Sequence, residues 1–150
     1  MTYNQTNSDK SRKKIIGDYM SKQLLAVVST KNEFGDIESA VVAFTETDDL
    51  ELIFQTPNST RKYKNLKHDS QVAVVIGWDL NENITIQYEG IAIEADIQEI
   101  DKYRKIQLLK HNRSKKYAFL EENKYFKISP KWIRYSDLKT DPPIIFTLEF

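Results

Sequence analysis

The sequence predicts a mainly β, α+β fold: an antiparallel sheet of six or seven strands curled into a small barrel, with a few flanking helices. Three observations carry this. Short apolar runs rich in β-branched residues recur along the chain, and some alternate with polar residues at the period of two that a half-buried strand requires. The links between the first three runs are too short for parallel crossovers, so those strands run antiparallel as a meander. Closing such a sheet removes its sticky edges, which makes a barrel the natural architecture.

Taken in order, residues 1 to about 8 read as a loose polar lead into a helix capped by Ser8 or Asp9 and running to about Lys22. Ile15, Ile16, Tyr19 and Met20 share one face, while Lys10, Arg12, Lys13 and Lys14 make its wet side. Leu24 to Ser29 (LLAVVS) and Glu38 to Thr45 (ESAVVAFT) are strands joined by a turn containing Gly35. In Leu50 to Thr56, Leu50, Leu52 and Phe54 alternate with Glu51 and Ile53, which implies one face on a core. Pro57 ends that strand, and a short basic helix follows. Gln71 to Trp78 reads as a buried strand, and Ile84 to about Glu99 as a long one in which Gly90 permits a bulge. A helical region covers Asp101 to about Leu120, with Tyr103, Ile106, Leu109, Tyr117 and Leu120 as its apolar side and His111 to Ser114 as a point of interruption. Tyr125 to Ser129 continues past Pro130 into Trp132 to Tyr135, and Ile144 to Phe150 closes the chain. The length suits one domain, and nothing repeats.

Composition narrows the function. The 22 basic and 22 acidic side chains cancel, so no global field draws the chain to nucleic acid or anionic lipid. The absence of cysteine excludes disulfides, thiolate catalysis and cysteine-ligated zinc or iron–sulfur centres. The amino-terminal residues lack the apolar core of a signal peptide, and no apolar run approaches the ~20 residues of a membrane span, so the expected location is cytoplasmic. No phosphate-binding glycine loop, HExxH or GxSxG occurs. His68 and His111 each lack a metal-binding partner at helical spacing, so no metal site is expected. Chemistry, if any, would rest with a bound cofactor, and no side chain stands out as acid or base.

The stretch Leu50 to Lys67 (LELIFQTPNSTRKYKNLK) carries the functional reading. Thr56, Asn58, Ser59 and Thr60 precede Arg61 and Lys62 at a helix start, where unpaired backbone N–H groups and the helix dipole favour an anion. Hydroxyls and two cations there suit a phosphate. A helix merely capped by Asn58 or Ser59, with Arg61 and Lys62 solvated, accounts for the same residues.

With these elements in order, the chain resembles the pyridoxamine 5′-phosphate oxidase-like family of FMN-binding split barrels, a Greek-key type of fold. The resemblance runs from about Leu24 to Ala95 and more loosely from Tyr125 to Tyr135. Ala40, Val41, Val42, Ala43, Phe44 and Thr45 (AVVAFT) fall where that family lines the flavin ring. Gln55 and Thr56 fall on its strand end, with glutamine replacing an aromatic, and Arg61 and Lys62 fall on its phosphate clamp, with Thr60 in place of serine and Ser59 beside it. Trp78 and the Glu89-Gly90 pair match in order and spacing. The resemblance implies FMN bound at the interface of a homodimer. Thr85 and Gln87 lie where the family contacts the ring, though on one strand face they suit solvent equally. Trp132 and Arg134, in SPKWIRY, could reach a partner subunit's flavin or serve as ordinary core or dimer contacts.

The chain also departs from the true oxidase. Ala40 stands where the enzyme has arginine, Thr85 where it has glutamine, and no Arg-x-His follows Asp137, so pyridoxamine phosphate is not the expected substrate. The expectation is a homodimeric FMN-dependent oxidoreductase of undetermined substrate. The alternatives are a non-catalytic flavin-binding or flavin-sensing protein and the same barrel holding deazaflavin or haem. A barrel binding single-stranded nucleic acid is disfavoured, because acids alternate in the strands as often as bases.

Overall fold

The structure, a computed structural model, describes residues 8–150, so the loose lead expected before them lies outside the described residues. Helix α1 (Asp9–Ser21) is capped by Ser8, whose hydroxyl accepts from the Ser11 N–H at 3.1 Å. It buries Ile16, Tyr19 and Met20, the stripe that its periodicity predicts. Strands β1 (Leu25–Lys31), β2 (Ile37–Ala43), β3 (Thr45–Glu46) and β4 (Leu52–Pro57) follow, then helix α2 (Arg61–His68). Next come β5 (Gln71–Ile76), β6 (Ile84–Glu94), helix α3 (Ile100–Lys110), a 3-10 turn at Asn112–Lys116, and the strands β7 (Asn123–Asp137) and β8 (Ile144–Glu149).

All the strand pairings are antiparallel. The sheet runs β2-β1-β5-β6-β7-β4-β3, with β8 added to the outer half of β7. Its two end strands are one stretch of chain, because β2 stops at Ala43 and β3 starts at Thr45. The stretch pairs with β1 up to Ala43 and then, past Phe44, with β4 through Thr45↔Ile53 and Glu46↔Leu52. The ring is therefore closed at that corner. Beyond it no ladder joins β2 to β4, and the barrel is split.

This corrects the expected meander: the body of β4 pairs with β7, from Leu52↔Ile128 to Pro57↔Asn123, not with β2. Among the described residues it also brings the strands to eight, the two-residue β3 being a piece that hydropathy alone does not separate from β2.

The barrel interior is filled by Val28, Val74, Ile86, Tyr88, Ile133 and their neighbours. Phe54 stacks on Phe126 with centroids 5.5 Å apart, worth about 1 kcal/mol beyond the area buried. Three expectations are corrected. Ile53, expected to face solvent, is fully buried with Tyr103 and Tyr125, because α3 covers the outer side of β4. Gln71 to Trp78, expected to be buried, alternates instead, and Trp78 lies exposed beyond the end of β5. The α3 region does break at His111, but Leu109, Tyr117 and Leu120 are exposed. The face of α3 that packs is formed by Tyr103, Ile106 and Gln107.

Gly90 acts as anticipated. The β6–β7 register slips between Glu89↔Trp132 and Gly90↔Pro130. A Cβ on Gly90 would stand 2.5 Å from the Ser129 carbonyl oxygen, so the bulge has no room for a side chain.

Candidate functional site

Helix α2 sits in the split. Its cap is Thr60, in place of the Asn58 or Ser59 expected: the Thr60 hydroxyl accepts from the Tyr63 N–H at 3.2 Å. Such a cap contributes about 1 kcal/mol. Asn58 and Ser59 fall in the turn between strand and helix, both exposed, and the Asn58 amide is spent on the Glu122 carbonyl. The Arg61 and Lys62 amides have no acceptor among the described residues, as the geometry of a helix start dictates.

Thr56, the penultimate residue of β4, turns its side chain inward, 2% exposed, and its hydroxyl lies 2.9 Å from that of Thr60. The Lys62 ammonium donates to the Thr56 hydroxyl at 3.4 Å. Burial holds the Lys62 amine below its ordinary pKa. No carboxylate among the described residues pairs with it. A half-buried cation next to two hydroxyls and the unpaired amides of a helix start is an arrangement that favours an anion.

Arg61 is placed differently. Its guanidinium Nε donates to Glu38 Oε1 at 3.1 Å, and its side chain is 79% exposed. Glu38 comes from β2, on the inward face shared with Ala40 and Val42. Val28, Thr30, Glu38, Ser39, Ala40, Thr60, Arg61 and Lys62 line a cleft of about 200 Å³ between β2 and the first turn of α2. A neighbouring cleft of about 360 Å³, lined by Phe34, Lys64, Asn65 and His68 among others, meets it at Arg61 and Glu38. Because β2 pairs only with β1 up to Ala43, its other edge offers backbone N–H and C=O groups to the split.

The remaining candidates divide by strand face. Ala40 lines the cleft and Ala43 is half-buried, while Val42 and Phe44 are buried in the core. Val41 faces outward, 59% exposed. Gln55 is turned away from the barrel and accepts from the Asn123 side chain at 2.9 Å. Thr85, Gln87 and Trp132 lie on the outer face, away from the cleft. Across one row of that face the register runs Val41, Val27, Val75, Gln87, Arg134, Thr147. Gln87 is thus three ladder steps from Val41, about 14 Å along the sheet. The fold gathers Thr56, Thr60, Arg61, Lys62 and Ala40 and leaves Thr85, Gln87 and Trp132 apart.

Two groups of residues escaped the sequence reading. Glu38, at the head of an apolar strand, gives no sign of the partners it meets: it accepts from Asn65 Nδ2 at 3.0 Å and Asn32 Nδ2 at 3.3 Å, and Asn65 also donates to Thr30. At the closed corner, Gln107 of α3 accepts from the Thr45 hydroxyl at 2.6 Å and donates to the Ala43 carbonyl at 3.1 Å. Lys110 donates to Glu46 at 2.6 Å, and His111 Nε2 lies 2.6 Å from the Phe44 carbonyl oxygen. The i, i+3, i+4 spacing of Gln107, Lys110 and His111 was the available signal.

Among the described residues no group of three or more His, Asp or Glu side chains gathers as a metal site, and no helix is long and apolar enough to cross a membrane. The sequence matches no family model and no curated protein. Solved structures do match. General stress protein 26 from Bacillus anthracis is 23% identical over 91% of this chain and 98% of its own, with a TM-score of 0.70. A pyridoxamine 5′-phosphate oxidase-related, FMN-binding protein from Nostoc punctiforme is 10% identical over 99% and 98%, with a TM-score of 0.67. A haem-binding protein from Mycobacterium smegmatis is 13% identical over 87% of this chain, with a TM-score of 0.75, and this chain spans 54% of its length. The closed corner, the split occupied by α2 and these likenesses together place the chain in the split-barrel fold of the pyridoxamine 5′-phosphate oxidase-related proteins.

Proposed function

We propose that the protein binds FMN in the split of its barrel and works as a flavin-dependent oxidoreductase. The observation that carries this reading is Lys62: a half-buried cation beside the Thr56 and Thr60 hydroxyls, with no carboxylate partner among the described residues. A phosphate ester would accept from the Lys62 ammonium and the amides that begin α2, beside the Thr56 hydroxyl that already accepts from Lys62. Arg61 is long and exposed enough to add a second cation. The free edge of β2 near Ala40 and Ala43 offers backbone donors and acceptors for the polar rim of a flat ring. When bound, the flavin would supply the electron transfer. The chain's own residues hold the phosphate, orient the ring and exclude water from one side of it.

The same reading includes a second copy of the chain. Leu25, Ile37, Val41 and Val75 form an exposed apolar patch on the outer face of β2, β1 and β5. Patches of this kind on a sheet usually mark an interface. Covering that patch would bring the outward row with Gln87 and Arg134 against the partner, so Thr85, Gln87 and Trp132 would serve the partner's ligand rather than their own.

The test is the visible spectrum after incubation with FMN and desalting. The wild type is expected to retain flavin absorbance and Arg61→Ala/Lys62→Ala to lose it. A colourless wild type with no FMN affinity overturns the reading, and the same spectrum after incubation with haem then tests His68, which lines the neighbouring cleft.

A further inference from the structure

The Arg61–Glu38 ion pair is the wall between the two clefts, since both residues line both. Its halves are held unequally. The Glu38 side chain is 18% exposed and fixed by amide donors from Asn65, itself 6% exposed, and from Asn32. The Arg61 side chain is 79% exposed and is tethered by its ion pair with Glu38. If the pair opens, the arginine swings and the glutamate stays. Glu38 would then keep two neutral donors, so releasing Arg61 does not strand a bare carboxylate.

We propose that Glu38 is a built-in competitor for the phosphate clamp. In this arrangement its carboxylate occupies the cation that an incoming phosphate needs, and binding is an exchange in which the ligand phosphate takes Arg61 from Glu38. The inference rests on the flavin reading for its ligand, but its core is anion chemistry: Glu38 sets how much a terminal phosphate adds to affinity. The clamp thereby rejects weaker anions that cannot displace a carboxylate already paired at 3.1 Å.

The test compares FMN with riboflavin, which has the same ring without the phosphate, on wild type and Glu38→Gln, by quenching of flavin fluorescence. The amide keeps an acceptor for Asn65 and removes the charge. Releasing an exposed ion pair corresponds to about 1.4- to 5-fold in affinity. Glu38→Gln should therefore bind FMN about 1.4- to 5-fold tighter, bind riboflavin unchanged, and lose that gain when Arg61→Ala is added. Glu38→Asp, which withdraws the carboxylate by one methylene, should shift FMN affinity the same way, and it stands in if the glutamine variant does not fold. FMN binding that is unchanged or weaker in a folded variant overturns the proposal, for Glu38 would then be orienting Arg61 rather than competing for it. If the wild type takes no FMN, the flavin reading falls by itself. Calorimetric titration with inorganic phosphate then decides on Glu38 alone: tighter binding by Glu38→Gln supports the exchange, and no difference overturns it.

Discussion

The closed corner of the barrel can be tested through one hydrogen bond. Gln107 is fully buried, and its carbonyl oxygen accepts from Thr45, which is 8% exposed. Thr45→Val keeps the shape but leaves Gln107 Oε1 without a donor, at a cost of about 1–3 kcal/mol. Gln107→Leu strands the Thr45 hydroxyl and also the Ala43 carbonyl, so about 2–4 kcal/mol is expected. Removing both partners leaves an apolar contact in place of the Thr45 bond, and the double variant should recover about 1–2 kcal/mol relative to the sum of the singles. In a chain of this size a loss of 2 kcal/mol lowers Tm by about 4–8 °C. Urea unfolding of the four proteins, at unchanged m-value, measures the coupling directly. Losses that simply add would refute the claim that this bond ties α3 to the corner.

The other predictions concern separate parts of the molecule. Gly77 has φ of +87°, and a Cβ there would lie 2.0 Å from the Tyr19 hydroxyl, so Gly77→Ala should cost about 2–4 kcal/mol; a thermal melt within 1 °C or so of wild type would contradict this. Burial pushes Tyr19 up to about 12, helped by Glu82, Tyr135 and Asp79, and it raises Tyr88 and Tyr103 further. Unfolded tyrosine ionises near pH 10, so the stability from these groups is complete below that pH and is lost as pH rises toward 12. Lys62 and Lys110, lowered by burial, pull the other way but are fewer. The urea midpoint should be lower at pH 11 than at pH 9, and a rise would count against the buried tyrosines. Val41→Glu places a charge at the centre of the apolar patch; light scattering should show the wild type as a dimer and the variant as a monomer, and an unchanged mass for the variant would remove that face from the interface.

Local chemistry accounts for the parts of the fold that were legible in advance. Alternation announces a strand, Pro57 a break, Gly90 a bulge and Ser8 a cap, because each acts within a few residues of itself. What stayed hidden depends on distant partners. Ile53 reads as a solvent-side residue until α3 lies over it, and Leu109 reads as core until the helix is seen to pack through Gln107. The site divides likewise. Thr60, Arg61 and Lys62 were visible as a helix start carrying cations, whereas Glu38 is indistinguishable from a surface acid until β2 and α2 face each other across the split. The exposure of Gln87 beside the burial of Tyr88 follows from alternation, but its distance from the cleft needed the strand order.

The fifteen-residue β7 also bears on how the chain comes to fold. It is the only described strand that pairs with three others, and its partners β4 and β6 lie far upstream. During synthesis, β1, β2, β5 and β6 can assemble early as a sheet, while β4 waits with an unsatisfied edge until residues 123–129 have left the ribosome. Such long-range pairing places the chain among slow folders, on the millisecond-to-second scale, and makes the nascent β4 edge the segment most exposed to pairing with a neighbouring chain.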